Sequence, residues 1–510
     1  MKYKAFRDSD LEGKINAFLG SDVLYIFLHY IDNSSYYAYL SQIIENTQDQ
    51  PQRIVFIDLN WRFFDPKINK REWKRSVRLR ESFFRDMSDK YPHKFTRILM
   101  SEKQTRKRIR NFDAAFAFST QLGNSVLSLL ISRGFTHDNL HLNSLRKRYL
   151  FRKYTKSFLQ TLDSISPLLE TYEIKKVVFL NGRWPQEAAI RHFCESNRIE
   201  FMSLEHGKPK NQRFHLERFQ TQEYKFLREY FKDTRDKLKP EEIQSAEKWA
   251  EDWLEAQAKT TGGNQFFRGG DPLPDECRTG NFVLLLNSSF DERFSNMGME
   301  MNGWNSQEEA FARVIERLKS LHFNLVFRIH PNTANKSWFE LLRLVKLLKN
   351  LQVKYIFPWS EISTYDLMDK ADFIVSWGST SSLEATARGI PAVNLGRTQY
   401  DNLVDITLWS PKDLSDLSIP KNQPSRSKSK VAIYLTRNWG YVSAIDNDRK
   451  SNQSSELNLN QRNFMKSLKA SYRIVRDGKS SKPDDSILLM SKIFGKKRGT
   501  RIIELLVNLI

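Results

Sequence analysis

Short apolar runs rich in Val, Ile and Phe recur along the chain, separated by longer stretches whose apolar residues fall three and four apart. That alternation predicts parallel strands joined by helical crossovers, an α/β chain. In the first half, strands are expected at Val23–Tyr30, Ile54–Leu59, Phe112–Phe118, Val177–Leu180 and Phe201–Leu204. Helices are expected between them at Tyr36–Asn46, Asn124–Arg133 and Glu187–Asn197. Arg71–Arg110 is dense in Lys and Arg and reads as exposed helix, either a solvated face or a surface for an anionic acceptor or membrane. Lys225–Lys259 carries a long, charged helical pattern.

Glycine and proline then gather between Thr260 and Asn281, which predicts an interdomain linker. A second series follows, with strands at Phe282–Leu286, Leu325–Ile329, Val353–Phe357, Phe373–Ser376 and Ala392–Leu395. Helices are expected at Ser306–Leu321, Lys336–Asn350, Ile362–Lys370 and Ser382–Arg388, the last stopped by a left-handed Gly389. The expected organisation is two Rossmann-like, doubly wound domains facing a cleft, with a basic helical tail. Its boundaries are 1–260 for an acceptor-side domain, 261–280 for the linker, 281–445 for a nucleotide-sugar-binding domain and 446–510 for a polar linker and tail.

Lys and Arg number 81 against 60 acids, a net charge of +21, so the partners to consider are polyanions: nucleic acid, anionic membrane and phosphorylated substrates. No zinc-finger spacing, basic heptad region or glycine-aromatic RNA-binding signature is present, and no specific nucleic-acid partner is expected. Two cysteines, Cys194 and Cys277, are too few for a disulfide framework or a thiolate zinc site and suggest a reducing compartment. No secretory signal is read, and the best apolar run, Val23–Ile31, is about half of what a bilayer crossing needs. The expected location is the cytoplasm.

Ligands of open parallel sheets bind at the carboxyl ends of strands, which selects four loops. The richest is Trp377-Gly-Ser-Thr-Ser-Ser-Leu-Glu384. There Gly378 allows a sharp turn, and Ser379, Ser381 and Ser382 precede a helix start able to hold phosphate, with Glu384 placed for ribose hydroxyls. Ser381 and Glu384 also fit a capping box that merely closes the helix. In a second loop Arg328 and His330 share a strand face before Pro331, two potential cations for a departing phosphate. Glu205 and His206 end another strand as candidate bases, with Gly207 allowing close approach of substrate. Asn181 and Arg183 could orient an anionic sugar or the Glu205 carboxylate, with Arg183 counted among the catalytic candidates, although Asn-Gly after a strand is also an ordinary turn signal.

Together the N-G-R loop, the E-x-G loop, the R-x-H-P strand end and the W-G-S-x-x-S-x-E-A-x-x-x-G-I-P-A-V-x-L-G run from Trp377 to Gly396, followed by Tyr400-Asp401, resemble the capsule polysaccharide biosynthesis family of bacterial glycosyltransferases. The resemblance is strongest over Leu325–Asp401. It implies a GT-B fold and transfer of a sugar from a nucleotide donor, of the CMP-Kdo type in part of that family, to a surface polysaccharide, lipopolysaccharide or glycolipid acceptor. Bacterial sialyltransferases are similar in pairing an acidic-acidic-glycine motif with H-P and a serine pair; here His206 stands at the second acidic position. Carried over, Glu205 is the base, His330 the phosphate ligand, and Ser381, Ser382 and Glu384 the nucleotide contacts. The nucleotide-sugar is then a substrate, and neither a cofactor nor a metal is expected, since the four loops hold no D-x-D pair. The alternatives are a CDP-glycerol-type glycerophosphotransferase and a non-catalytic polyanion-binding protein on the same scaffold.

The last fifty residues hold twelve Lys or Arg against four acids, with apolar clusters flanking Lys496-Lys-Arg498. Either a helix here lies on an anionic membrane, which would suit a lipid-linked acceptor at the inner face of the cytoplasmic membrane, or it packs back on the first domain.

Overall fold

The computed structural model describes residues 9–20, 22–29, 34–47, 54–59, 70–105, 107–131, 142, 145–182, 184–207, 213–217, 224–259, 272–278, 282–288, 301–335, 338–420, 422–442, 503–505 and 507. They form two compact α/β units. The first contains the described residues up to Glu217 together with 437–442; the second contains 224–436 and the described tail residues.

The first unit is built on a seven-stranded sheet. Its strands are β1 (Leu24–Leu28), β2 (Ile54–Leu59), β3 (Phe95–Met100), β4 (Lys176–Leu180), β5 (Glu200–His206), β6 (Arg213–Glu217) and, far along the chain, β13 (Tyr441–Val442). The order is β13-β6-β5-β4-β1-β2-β3, with β5 through β3 parallel and β6 and β13 joined by antiparallel pairing. Near-continuous apolar runs such as Leu24–Leu28, buried at every position, fit strands covered on both faces. One face packs against helices α1 (Ser9–Leu19), α2 (Ser34–Glu45) and α3 (Lys70–Lys90) through Leu11, Tyr37, Ile43, Phe83 and Met87. The other packs against α6 (Leu145–Ile165) and α8 (Pro185–Ser196) through Ile165, Ile190 and Phe193.

The second unit holds β7 (Phe282–Leu286), β8 (Asn324–Arg328), β9 (Lys354–Ile356), β10 (Phe373–Ser376), β11 (Ala392–Asn394) and β12 (Thr407–Leu408). All are parallel in the order β12-β11-β10-β7-β8-β9, which is 3-2-1-4-5-6 when counted from β7. Helices α12 (Gln307–Ser320) and α13 (Trp338–Asn350) cover one face, and α15 (Thr380–Ala387) links β10 to β11. In each sheet the strand order reverses once: between β1 and β4, and between β7 and β10. The two Rossmann-like units predicted by the pattern are present.

Several expectations are corrected. Phe112–Phe118, expected as a strand, is helix α4: the Asn111 side chain accepts from the Ala114 amide at 2.9 Å, and Phe112 and Ala115 share the buried face at helical spacing. The basic stretch read as one helix is α3 followed by β3, an edge strand with no fully buried position, which leaves Leu99 60% exposed. Lys225–Lys259 is two helices, α9 (Tyr224–Asp236) and α10 (Pro240–Lys259), parted where proline opens the second.

The division between units also falls elsewhere than the glycine-rich stretch suggests. Helices α9 and α10 belong to the second unit, where Arg228 donates to the Thr398 carbonyl at 3.0 Å and Trp249 meets Tyr434 on α16 (Arg426–Arg437). After α16 the chain returns to the first unit as β13. The described tail residues pack on the second unit rather than the first. Ile503 and Val507 enter its core, and Trp359 donates to Glu504 at 3.1 Å. The Lys496-Lys-Arg498 run lies outside the described residues. Among the described residues no helix is long and apolar enough to cross a membrane.

Candidate active site

At the first switch point, β1 ends in His29 and β4 in Asn181. Asn181 takes a left-handed φ of 57°, a conformation its short polar side chain tolerates, and so turns the chain out of the strand. Its Nδ2 donates to Oε2 of Glu205 on the neighbouring strand. Oε1 of Glu205 accepts from the Tyr36 hydroxyl at 2.6 Å and from the His206 amide at 2.8 Å. Glu205 is buried with both oxygens held by donors. His206 beside it is partly exposed; its Nδ1 lies 2.8 Å from the Tyr39 hydroxyl, and the Tyr36 ring packs 4.6 Å from its own. Burial, with the charge of Glu205, raises the Tyr39 phenol well above its ordinary range, so it stays a hydroxyl at neutral pH.

Two further residues complete this strand end. His29 Nε2 and Glu187 Oε1 are 2.7 Å apart, both nearly inaccessible, and the other oxygen of Glu187 accepts from the Trp184 amide at the start of α8. A polar residue closing the apolar run Val23–Leu28 was the available sequence signal for His29. Nothing local marks Glu187, Tyr36 or Tyr39 as its neighbours.

Gly207 has a structural task of its own. A Cβ there would lie 2.5 Å from the Trp439 carbonyl oxygen, because β13 and the residues before it cross this point. Arg183 lies outside the described residues.

In the second unit, β10 ends in Trp377, and Gly378 turns with φ of 69°, a region closed to most side chains. Ser379 is the N-cap of α15, its Oγ accepting from the Ser381 amide at 3.2 Å, and the Tyr400 hydroxyl donates to its carbonyl. The capping residue is therefore Ser379, not Ser381. Glu384 accepts from the Tyr365 hydroxyl at 2.9 Å and takes no part in a capping box. Ser382 is fully buried, its Oγ 2.7 Å from both Ser376 Oγ and Asn394 Oδ1. Gly378, Ser379, Thr380 and Ser381 remain partly exposed at the sheet edge, and Gly389 ends the helix with φ of 86° as expected.

Beside them, the His330 amide donates to Asn287 Oδ1 at 2.7 Å, tying the end of β8 to that of β7, and Pro331 opens a 3-10 turn. Desolvation of its ring, reinforced by Arg328, pushes the His330 imidazole down to about 4, so it is neutral at pH 7. Arg328 is buried and gives its guanidinium to the carbonyls of Phe357 and Ser360, the latter at 3.0 Å. The pair of cations expected at this strand end is thus one neutral imidazole and one arginine engaged with main chain.

No protein-family profile matches the sequence, and no curated protein does. Among solved structures the chain is similar to two Thermosulfurimonas dismutans KpsC transferases. For the beta Kdo 2,7 transferase the identity is 14%, the TM-score 0.33, and the match covers 54% of this chain and 80% of that one. For the beta Kdo 2,4 transferase the values are 16%, 0.35, 50% and 78%. A putative UDP-N-acetylglucosamine 2-epimerase from Listeria monocytogenes is similar over 91% of this chain and 98% of its own, at 12% identity and a TM-score of 0.24.

The two strand ends offer different chemistry. The second unit presents a glycine turn, hydroxyls and a helix start, groups suited to phosphate. The first presents a fixed carboxylate and a partly exposed imidazole, groups suited to moving a proton. Among the described residues no three His, Cys, Asp or Glu side chains converge as a metal site.

Proposed function

We propose that the chain is a glycosyltransferase that binds a nucleotide-sugar at the strand ends of the second unit and activates an acceptor hydroxyl with groups of the first. The observation that carries the reading is the partly exposed run Gly378–Ser381, which heads α15 at the switch point of a 3-2-1-4-5-6 sheet. There the partly exposed hydroxyls and the positive end of the α15 dipole serve the negative charge that a leaving nucleotide gathers. His330, being neutral, serves as a hydrogen-bonding ligand for phosphate, while Arg328 holds the loop after β9 in shape.

His206 is the proton acceptor in this reading, since it is partly exposed while Glu205 is buried with both oxygens engaged. Glu205 positions the strand end on which His206 stands. The leaving-group charge is met by hydrogen-bond donors, so transfer proceeds without a divalent ion. The acceptor is a glycan or lipid-linked glycan, and the donor is a CMP-Kdo-type or related nucleotide-sugar.

The test is nucleotide release from CMP-Kdo, UDP-N-acetylglucosamine and CDP-glycerol in the presence and absence of EDTA. Sugar-dependent release that survives EDTA is the expected result. Release from CDP-glycerol alone would move the chain to glycerophosphotransfer, and activity restored only by magnesium or manganese would contradict the metal-free step.

A further inference from the structure

The loop after β9 is held from two directions. Arg328, at the end of β8, gives its guanidinium to the carbonyls of Phe357 and Ser360. From the tail, Glu504 accepts from the indole of Trp359, which stands between those two carbonyls in sequence, at 3.1 Å. The Trp359 ring is stacked on that of Phe357, 4.9 Å between centroids and 9° between planes, and both residues are buried. Glu504 thus fixes the ring that packs on a residue held by Arg328.

The tail is itself anchored. Its residues 503–505 and 507 are helical, and Ile503 and Val507, four apart, enter the core while Leu505 is 63% exposed. Lys349, at the end of α13, donates to the Val507 carbonyl at 3.4 Å. Two polar ties therefore hold it, one to α13 and one to the loop.

The loop reaches both sides of the candidate phosphate site. On one side Arg328 stands two residues before His330, whose amide is tied to Asn287 at 2.7 Å. On the other, the Ile362 amide donates to Ser360 Oγ at 3.3 Å, and the chain enters α14 (Thr364–Met368), capped by Ser363. In the first turn of α14, Tyr365 donates to Glu384 of α15 at 2.9 Å.

We propose that Glu504 is a positioning residue for nucleotide binding: by fixing Trp359 it keeps the loop 357–363 in the form that sets His330 and, through Tyr365, Glu384. The proposal rests on the reading of the second unit as the nucleotide side and adds a dependence of that site on the tail. Support of this kind holds ligand-binding groups in place without touching the ligand. By linkage, a nucleotide that requires this form of the loop also strengthens docking of the tail.

Isothermal titration with CMP, CDP, UDP and GDP compares the intact wild-type chain with four variants. Glu504→Leu and Trp359→Phe each remove one partner of the hydrogen bond, the second keeping a ring to stack on Phe357, and each should bind about tenfold more weakly the nucleotide that wild type takes. Glu504→Gln retains an accepting oxygen and should bind near wild type. Lys349→Met releases the other tie of the tail and should also bind near wild type, whereas a role in stability alone would weaken it equally. Hydrogen exchange without nucleotide is the second measure. In Glu504→Leu the amides of Ser360, Ile362 and His330 should exchange faster, with those of α12 unchanged. A Glu504→Leu protein that binds as tightly as wild type, one whose loop exchanges no faster, or equal weakening in Lys349→Met would overturn the proposal. If wild type binds none of the four nucleotides, the transferase reading fails, and exchange alone decides whether Glu504 sets the loop.

Discussion

The Tyr36 hydroxyl donates to Oε1 of Glu205 at 2.6 Å, joining α2 to the carboxyl end of β5 across 169 residues of sequence. Because the other partners of Glu205 are the Asn181 amide group and the His206 main-chain amide, every group facing this carboxylate is a donor. Only an acceptor satisfies them all. Glu205→Gln should therefore lose about 1–3 kcal/mol of stability, since the new amide nitrogen must oppose a donor. Tyr36→Phe should lose less, removing one donor and leaving the rest. Urea unfolding of the two variants checks the ranking, and a Gln variant as stable as wild type would show that the donor cage is not formed.

Removing the imidazole separates proton transfer from positioning. His206→Ala should lower turnover by about 100-fold to 10,000-fold with little effect on nucleotide affinity, the range a general base supplies. Single-turnover sugar transfer across pH is the measurement. Undiminished turnover in His206→Ala would return the role to Glu205.

Gly207→Ala places a methyl group 2.5 Å from the Trp439 carbonyl oxygen. The strand end and the residues leading into β13 must then separate, at a cost of about 1–3 kcal/mol. Limited proteolysis should show earlier cleavage near 437–442. A variant of unchanged stability would mean that the crossing yields without cost.

Acid should destabilise both units. Burial pushes His215, stacked 4.6 Å from the Trp439 ring, down to about 3, and His330 is held at about 4. The unfolded chain binds protons to these rings from about pH 6.5 downward while the folded chain does not. Stability is thus full above that pH and falls as pH drops toward 4, at about 1.4 kcal/mol per pH unit for each ring. Urea midpoints at about pH 7 and about pH 5 should differ accordingly, and His215→Phe should flatten the slope of the first unit. A midpoint that rises on acidification would contradict this.

The parallel strands were legible because their positions are buried on both faces and read as unbroken apolar runs, as in Phe282–Leu286. Edge strand β3 was not, since Arg97, which serves Asp58 and Glu81, interrupts its apolar run and the stretch resembles a helical surface. The helix at Phe112–Phe118 was signalled by Asn111 as its cap, but aromatic residues outweighed that signal. At the sites, the strand-end rule led to Asn181, Glu205, His206 and Ser379. It could not say which hydroxyls turn inward. Ser381 and Ser382 are adjacent in sequence, yet only the second is consumed by Ser376 and Asn394, a consequence of helical rotation at the start of α15. Tyr36 and Glu187 were invisible because their partners lie more than a hundred residues away.

The central claim, that the second unit holds a nucleotide at the head of α15, is tested most directly by thermal shift of the intact chain with CMP, CDP, UDP and GDP. Wild type should be stabilised by one of them, by about 2.7 kcal/mol at a hundred times its Kd. Thr380→Pro removes one amide that heads the helix while suiting its first position, since Ser379 already has the extended φ of −76° and ψ of 151° that precede proline. That variant should lose most of the shift, measured against its own unliganded melting temperature. A wild-type protein unmoved by all four nucleotides, or a Thr380→Pro protein stabilised as strongly as wild type, would contradict the account.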